Sequence, residues 1–272
     1  MSRTASLLAF LLLATAGLTT AGCLHRGLAA EVSTDLPWTV VDGSWRTDPI
    51  WYDGQAECAR YAARRVIYGQ VREYEARAYT NKQQMDAGTT TKASGNDGVE
   101  VFKHHWSERA PTERYDYDFS TAVFTRTDDL STFKYTASTQ EDCGASFKQA
   151  WESDGGWNAI ESVYFPEGGT RQLRLDGDLP LPHDALTLVL RDLASTIATA
   201  ELVPLPDVHL SVLPSQRDTH RVSWAPETLI VKHYGSGTLE VPFGELECHK
   251  FRLEDEAGEE RALYWFAADG SA

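Results

Sequence analysis

Strict alternation is the feature that most limits what this chain can become. Tyr74, Ala76 and Ala78 alternate with Glu73, Glu75 and Arg77, and Phe133, Tyr135 and Ala137 alternate with Lys134 and Thr136. Successive side chains of a strand point to opposite faces, so a period of two puts one set inward and the other in water. The chain reads as β-rich in this way from Trp38 to about Leu175, with Asp128-Asp129, Gly155-Gly156 and Gly168-Gly169 as punctuation. Gly69-Gln70 is expected to turn the chain between Val66 and Val71. Met85–Gly98, rich in glycine and threonine and ending Asn96-Asp97-Gly98, reads as a mobile loop.

One segment supports two readings. Ala59, Ala62, Ala63, Val66 and Ile67 fit a helical stripe with Gly69 just past its end, and they also fit a strand. The clearest helix runs from Asp184 to about Ala194. Asp184 is placed to cap it, and Leu186, Val189, Leu190 and Leu193 share one apolar face. Strands then resume: Val208, Leu210 and Val212 alternate, Leu229–Val231 is a buried run, and Leu246–Leu253 with Arg261–Phe266 form a long hairpin around Gly258. The fold expected is mainly β, one curved antiparallel domain over residues 37–272 with a single short helix near 184–194.

The start of the chain carries an address. Arg3, the apolar run Leu7–Leu13 and then Thr20-Ala21-Gly22-Cys23 have the order of a secretory signal: a positive start, a short apolar core and small residues before the cut. The apolar core is far shorter than the roughly 20 residues of a membrane span. A cysteine directly after Ala-Gly is the acceptor expected for diacylglycerol, so residues 1–22 read as a lipoprotein signal and Cys23 as the lipidated residue. Residues 23–36 would be the anchor and its tether, about 20 Å long as a flexible coil. Leu24 after the cysteine, rather than Asp, suggests sorting to the outer membrane, with the body facing the periplasm.

Removing residues 1–22 leaves 250 of 272, and takes only Arg3 from a net charge of −15, giving −16. Such acidity excludes nucleic acid, which requires a basic surface, and argues against electrostatic docking on anionic lipid heads. Buried lipid chains at ~0.8 kcal/mol per methylene anchor a protein without that help. The remaining cysteines, Cys58, Cys143 and Cys248, are odd in number, so at most one disulfide can form, and spacing does not say which.

Two stretches have a family likeness. Trp51-Tyr-Asp-Gly-Gln-Ala-Glu57 with Arg65-Val-Ile-Tyr-Gly69, and Ser138-Thr-Gln-Glu-Asp-Cys-Gly144 with Phe147-Lys148, resemble an uncharacterised family of bacterial envelope lipoproteins. Some members are labelled septum formation inhibitors. The likeness spans most of residues 45–266 and implies an antiparallel β protein, with residues 59–67 as a strand. It brings no activity, ligand or catalytic residue. The closing segments, Val241–Phe251 and Tyr264-Trp265-Phe266, resemble the last hairpin of periplasmic proteins with half-barrel sheets. That resemblance leads one to expect a further short stretch beyond Ala272.

Catalytic and metal chemistry have weak support. Cys143, within Gln140-Glu141-Asp142-Cys143-Gly144, could serve as a nucleophile if a histidine approached it, but adjacent carboxylates would suppress the thiolate. His104-His105, with His209, His220, His233 or His249, could supply metal ligands, yet neighbours on a strand point to opposite faces. No His-x-x-x-His or Cys-x-x-Cys spacing occurs. Asp128-Asp129 and Asp176-Gly177-Asp178 lack the alternating oxygen ligands of a calcium loop. The chain is therefore read as a non-enzyme without metal or cofactor. Eight tryptophans suggest instead an apolar cleft for a lipid or hydrophobic peptide, with Trp106, Trp151 and Trp224 as the leading candidates to line it. An assembly accessory without a small ligand is the alternative.

Overall fold

Alternation becomes an unbroken meander. The computed structural model describes residues 43–200, 206–218 and 220–268, and these belong to one compact unit. The export signal, Cys23 and the tether lie outside the described residues. The first sheet contains β1 (Glu57–Ile67), β2 (Gln70–Asp86), β3 (Thr91–Lys92), β4 (Val99–Pro111), β5 (Asp116–Arg126), β6 (Thr132–Glu141), β7 (Gly144–Ser153), β8 (Gly156–Val163) and β9 (Gly169–Asp176). Each strand pairs antiparallel with the next in sequence, except that β3 folds back on β2 and β4 takes the following place.

The segment open to two readings is strand β1, paired with β2 along its whole length from Glu57↔Thr80 to Ile67↔Gln70. Tyr68 and Gly69, with φ of 53° and 71°, make the turn, one residue earlier than expected. Positive φ at both central positions gives the twist that joins two strands directly, and a helix would have left the β2 edge unpaired. The expected loop after Met85 is also shorter, because β2 runs to Asp86 and pairs with β3.

A second, five-stranded sheet is built from β10 (Leu181–Pro182), β11 (Val208–Leu213), β12 (Glu227–Val241), β13 (Gly244–Glu254) and β14 (Glu260–Ala267), in that order. Only β10 and β11 run parallel within it. Helix α1 (Leu186–Ala200) continues past the expected end at Ala194. Leu186, Leu188, Val189, Leu190, Leu193, Ala194 and Ile197 are all buried, in a cluster with Val208, Leu210, Phe251 and Leu253 of the second sheet and Phe102 of the first. A helix apolar on most of its surface is a core helix, so its fate is decided by packing rather than by Ser195 and Thr196, poor formers that follow Ala194. Asp184 does not act as its cap. Its carboxylate is taken by the Tyr135 hydroxyl at 2.6 Å and the Arg217 guanidinium at 2.9 Å.

The fold is thus mainly β, with curved antiparallel sheets around one helix. Strands β1 and β14 pair on one side only among the described residues, and residues of both line a cleft.

Candidate functional site

A cleft of about 1050 Å³ lies between the inner face of β1, β2 and β4, one side of α1, the β12–β13 hairpin and β14. Register explains where the room comes from. On the inward face Ala59, Ala78 and Trp106 form one row across three strands, and Tyr61, Ala76 and Glu108 form the next. The middle strand contributes alanines to both rows. The Tyr61 ring can therefore stack on Trp106 across β2, with centroids 5.2 Å apart and planes at 26°. The opposite wall is Leu239, Val241, Leu246, Tyr264 and Phe266, with Pro242 and Phe243 at the hairpin tip. Phe243 is 80% exposed. The register of β12 on β13 shifts between His233 and Ser236, with Gly235 at φ +87°. Bulges bend a strand, which is how an exposed hairpin tip comes to border the cleft.

One end of the cleft is polar. Glu57, Thr80 and His104 make a third row, faced by Thr187 and Arg191 of α1. His104 Nδ1 bonds the Thr80 hydroxyl at 2.9 Å, and Nε2 lies 3.3 Å from the Thr187 hydroxyl. Arg191 donates to Glu57 at 2.8 Å and lies 5.1 Å and 5.6 Å from the rings of Trp45 and Trp51. Deeper in the sheet, Glu108 accepts from the Tyr74 hydroxyl at 2.9 Å and from Arg217 at 2.6 Å. It also takes the Trp106 indole N–H, which orients that ring. Burial would lower the Arg217 guanidinium, but Asp184 and Glu108 overcome it and hold the group above its ordinary value. Burial, reinforced by Glu108, pushes the Tyr74 phenol up to about 12.

Burial, then the positive charge of Arg191, lowers His104 to about 4. Asp184 opposes this shift, while His105 and Arg217 add to it. The unfolded chain binds this proton near pH 6.5 and the folded chain does not. Stability is thus unaffected above about pH 6.5 and falls as pH drops toward 4, by an amount on the order of 3 kcal/mol. Unfolding free energies of the protein and of His104→Gln, compared from pH 7 to 4, should show the wild type losing more of its stability. Parallel curves would refute this.

Of the three tryptophans expected to line a cleft, Trp106 does so. Trp224 is in the core, its N–H bonded to Glu161 at 2.9 Å and its ring beside Trp157. Trp151 is on the outer face, because it pairs with Lys134, the neighbour of inward-facing Tyr135. Trp265 does line the cleft, as do Glu57, Thr187, Leu188, Arg191 and the β12–β13 tip, none of which the alternation singles out. A lone arginine within Leu186–Ala194 and the apolar tip Val241-Pro242-Phe243 were the available signals. Cys143 is exposed, with the Tyr115 hydroxyl 3.6 Å from its sulfur. His105 bonds Ser120 at 2.9 Å on the face opposite His104. Among the described residues, His, Cys, Asp and Glu form no group of three placed to hold a metal. Cys58 and Cys248 both border the cleft, the first exposed and the second buried.

No family model matches the sequence, and no curated protein matches it. Among solved structures the chain is similar to the crystal structure of a β-barrel-like protein of a domain of unknown function, DUF1849, from Brucella abortus. The identity is 12% and the TM-score 0.40, with 75% of this chain and 81% of that chain covered.

Proposed function

We propose that this protein is a non-catalytic binding module of the bacterial cell envelope, anchored through lipid on Cys23, that holds an apolar chain in its cleft. The supporting observation is the cleft itself. Its volume of about 1050 Å³ stands at the top of the ~300–1,000 Å³ range of small-molecule sites. Its walls are mostly aliphatic and aromatic, with Glu57, Thr80, His104, Thr187 and Arg191 grouped at one end and Arg60, Tyr74 and Glu75 also in the lining. Core packing would have filled such a space, since interiors tolerate few voids larger than a water molecule. The side chains of Ala59, Tyr61, Leu239 and Phe266 offer an acyl chain apolar contact along its length.

The test uses N-phenyl-1-naphthylamine, an uncharged apolar dye that fluoresces out of water. Titration should give saturable enhancement with one site per chain, and a long-chain lysolipid should displace the dye. Absence of saturable enhancement would overturn the reading in favour of an assembly role without a small ligand.

A further inference from the structure

Resting on that reading, we propose that the cleft selects a single-chain lipid with a zwitterionic head, an ammonium beside a phosphate. Polarity along the three inward rows is graded. The row of Glu57, Thr80 and His104 is polar, the row of Ala59, Ala78 and Trp106 that follows is apolar and aromatic, and in the third row Tyr61 and Ala76 share the face with Glu108, which does not line the cleft. Rows two residues apart along a strand are separated by roughly 7 Å. A bound molecule is thereby oriented, its head at the Glu57 end and its chain toward Tyr61 and Trp106.

The charges at that end specify the head. Arg191 keeps only 7% of its side-chain surface exposed, yet of the five donors of a guanidinium one goes to Glu57 and no other acceptor among the described residues takes the rest. Glu57 is 34% exposed and, among the described residues, accepts through one carboxylate oxygen, leaving the second open. The pair is neutral as a unit. A fatty acid or an anionic head would bond Arg191 but sit against the Glu57 carboxylate. A cationic head would meet the reverse conflict with Arg191. A head bearing both charges satisfies the two partners together, its phosphate on Arg191 and its ammonium on Glu57, in charge-assisted hydrogen bonds. Selectivity then comes from repulsion of the wrong heads as well as attraction of the right one.

Dye displacement by lysophosphatidylethanolamine, lysophosphatidylglycerol and palmitate, each below its micelle concentration, tests this. The zwitterionic lipid should displace the dye at least ten-fold more effectively than the two anions. Glu57→Gln, at a partly exposed position, should reduce that preference at least ten-fold when each lipid is measured against the variant's own dye affinity, because Arg191 then favours an anion. Arg191→Met should weaken both phospholipids. Equal displacement by all three lipids, or a preference that survives Glu57→Gln, overturns the proposal while leaving the apolar cleft standing. Failure of the dye to bind removes both.

Discussion

Replacing Glu108 by alanine is expected to destabilise the protein by about 3–5 kcal/mol, the cost of removing one partner from a buried ion pair. Its carboxylate is 6% exposed and joins Arg65 of β1, Tyr74 of β2, Trp106 of β4 and Arg217 of the segment after β11. Truncation would leave the Tyr74 hydroxyl and the Trp106 N–H unsatisfied, and Arg217 with Asp184 as its remaining anion. For a chain of this size the change corresponds to a melting point lower by roughly 10 °C. Arg65 suffers less, because its guanidinium is partly exposed and lies over the Phe119 ring. The double variant with Arg217→Met should lose less than the sum of the two single losses, since both break the same pair, while Asp184 keeps, among the described residues, only the Tyr135 hydroxyl. Urea denaturation of the two single variants and the double variant measures this. A loss below about 1 kcal/mol for Glu108→Ala, or a double variant as unstable as the sum of the singles, would show that the network is not an ion-pair unit.

That network was invisible in the sequence for a simple reason. Three of its four partners lie 34, 43 and 109 residues from Glu108, and only the register of the sheet and the return of the chain after β11 bring them together. What depends on neighbours in sequence was legible: the alternating strands, the closing hairpin, the helix and its apolar face. Alternation misleads where burial is decided by a distant partner. In β7, Phe147 is 41% exposed while Lys148 is 1% exposed. Burial is tolerable there because the ammonium donates to the backbone carbonyls of Asp218 and His220 at 3.0 Å and 2.6 Å. Desolvation still pulls Lys148 down to about 8. The cleft follows the same rule. Alternation sets which side chains share a face, as it does for Ala76 and Ala78, but whether that face borders a void or a packed element depends on where the second sheet lies. Trp106 and Trp224 look equivalent as residues, and only the three-dimensional arrangement makes one a cleft wall and the other a core plug.

Ala78→Trp is expected to abolish ligand binding, weakening the dye and lysolipids by more than 100-fold, while the protein stays folded. Ala78 is 4% exposed, lines the cleft and sits in the row between Ala59 and Trp106. An indole there must project into the space that the two alanines of β2 leave open, against the Tyr61–Trp106 stack and toward the hairpin wall. Overpacking a filled core costs about 1–3 kcal/mol. Here the added group has an existing void to enter, and tryptophan suits a strand, so the cost should fall at or below the low end. Arg77→Trp is the matched control. It lies one residue away on the exposed outer face, with 52% of its side-chain surface accessible, and should bind as the wild type does. Ala78→Leu, adding less bulk, should give an intermediate affinity. Fluorescence titration of the three variants, beside their thermal unfolding curves, separates occlusion from misfolding. A folded Ala78→Trp protein that binds with unchanged affinity would mean that the ligand lies elsewhere, and the functional meaning of the cleft would fall with it.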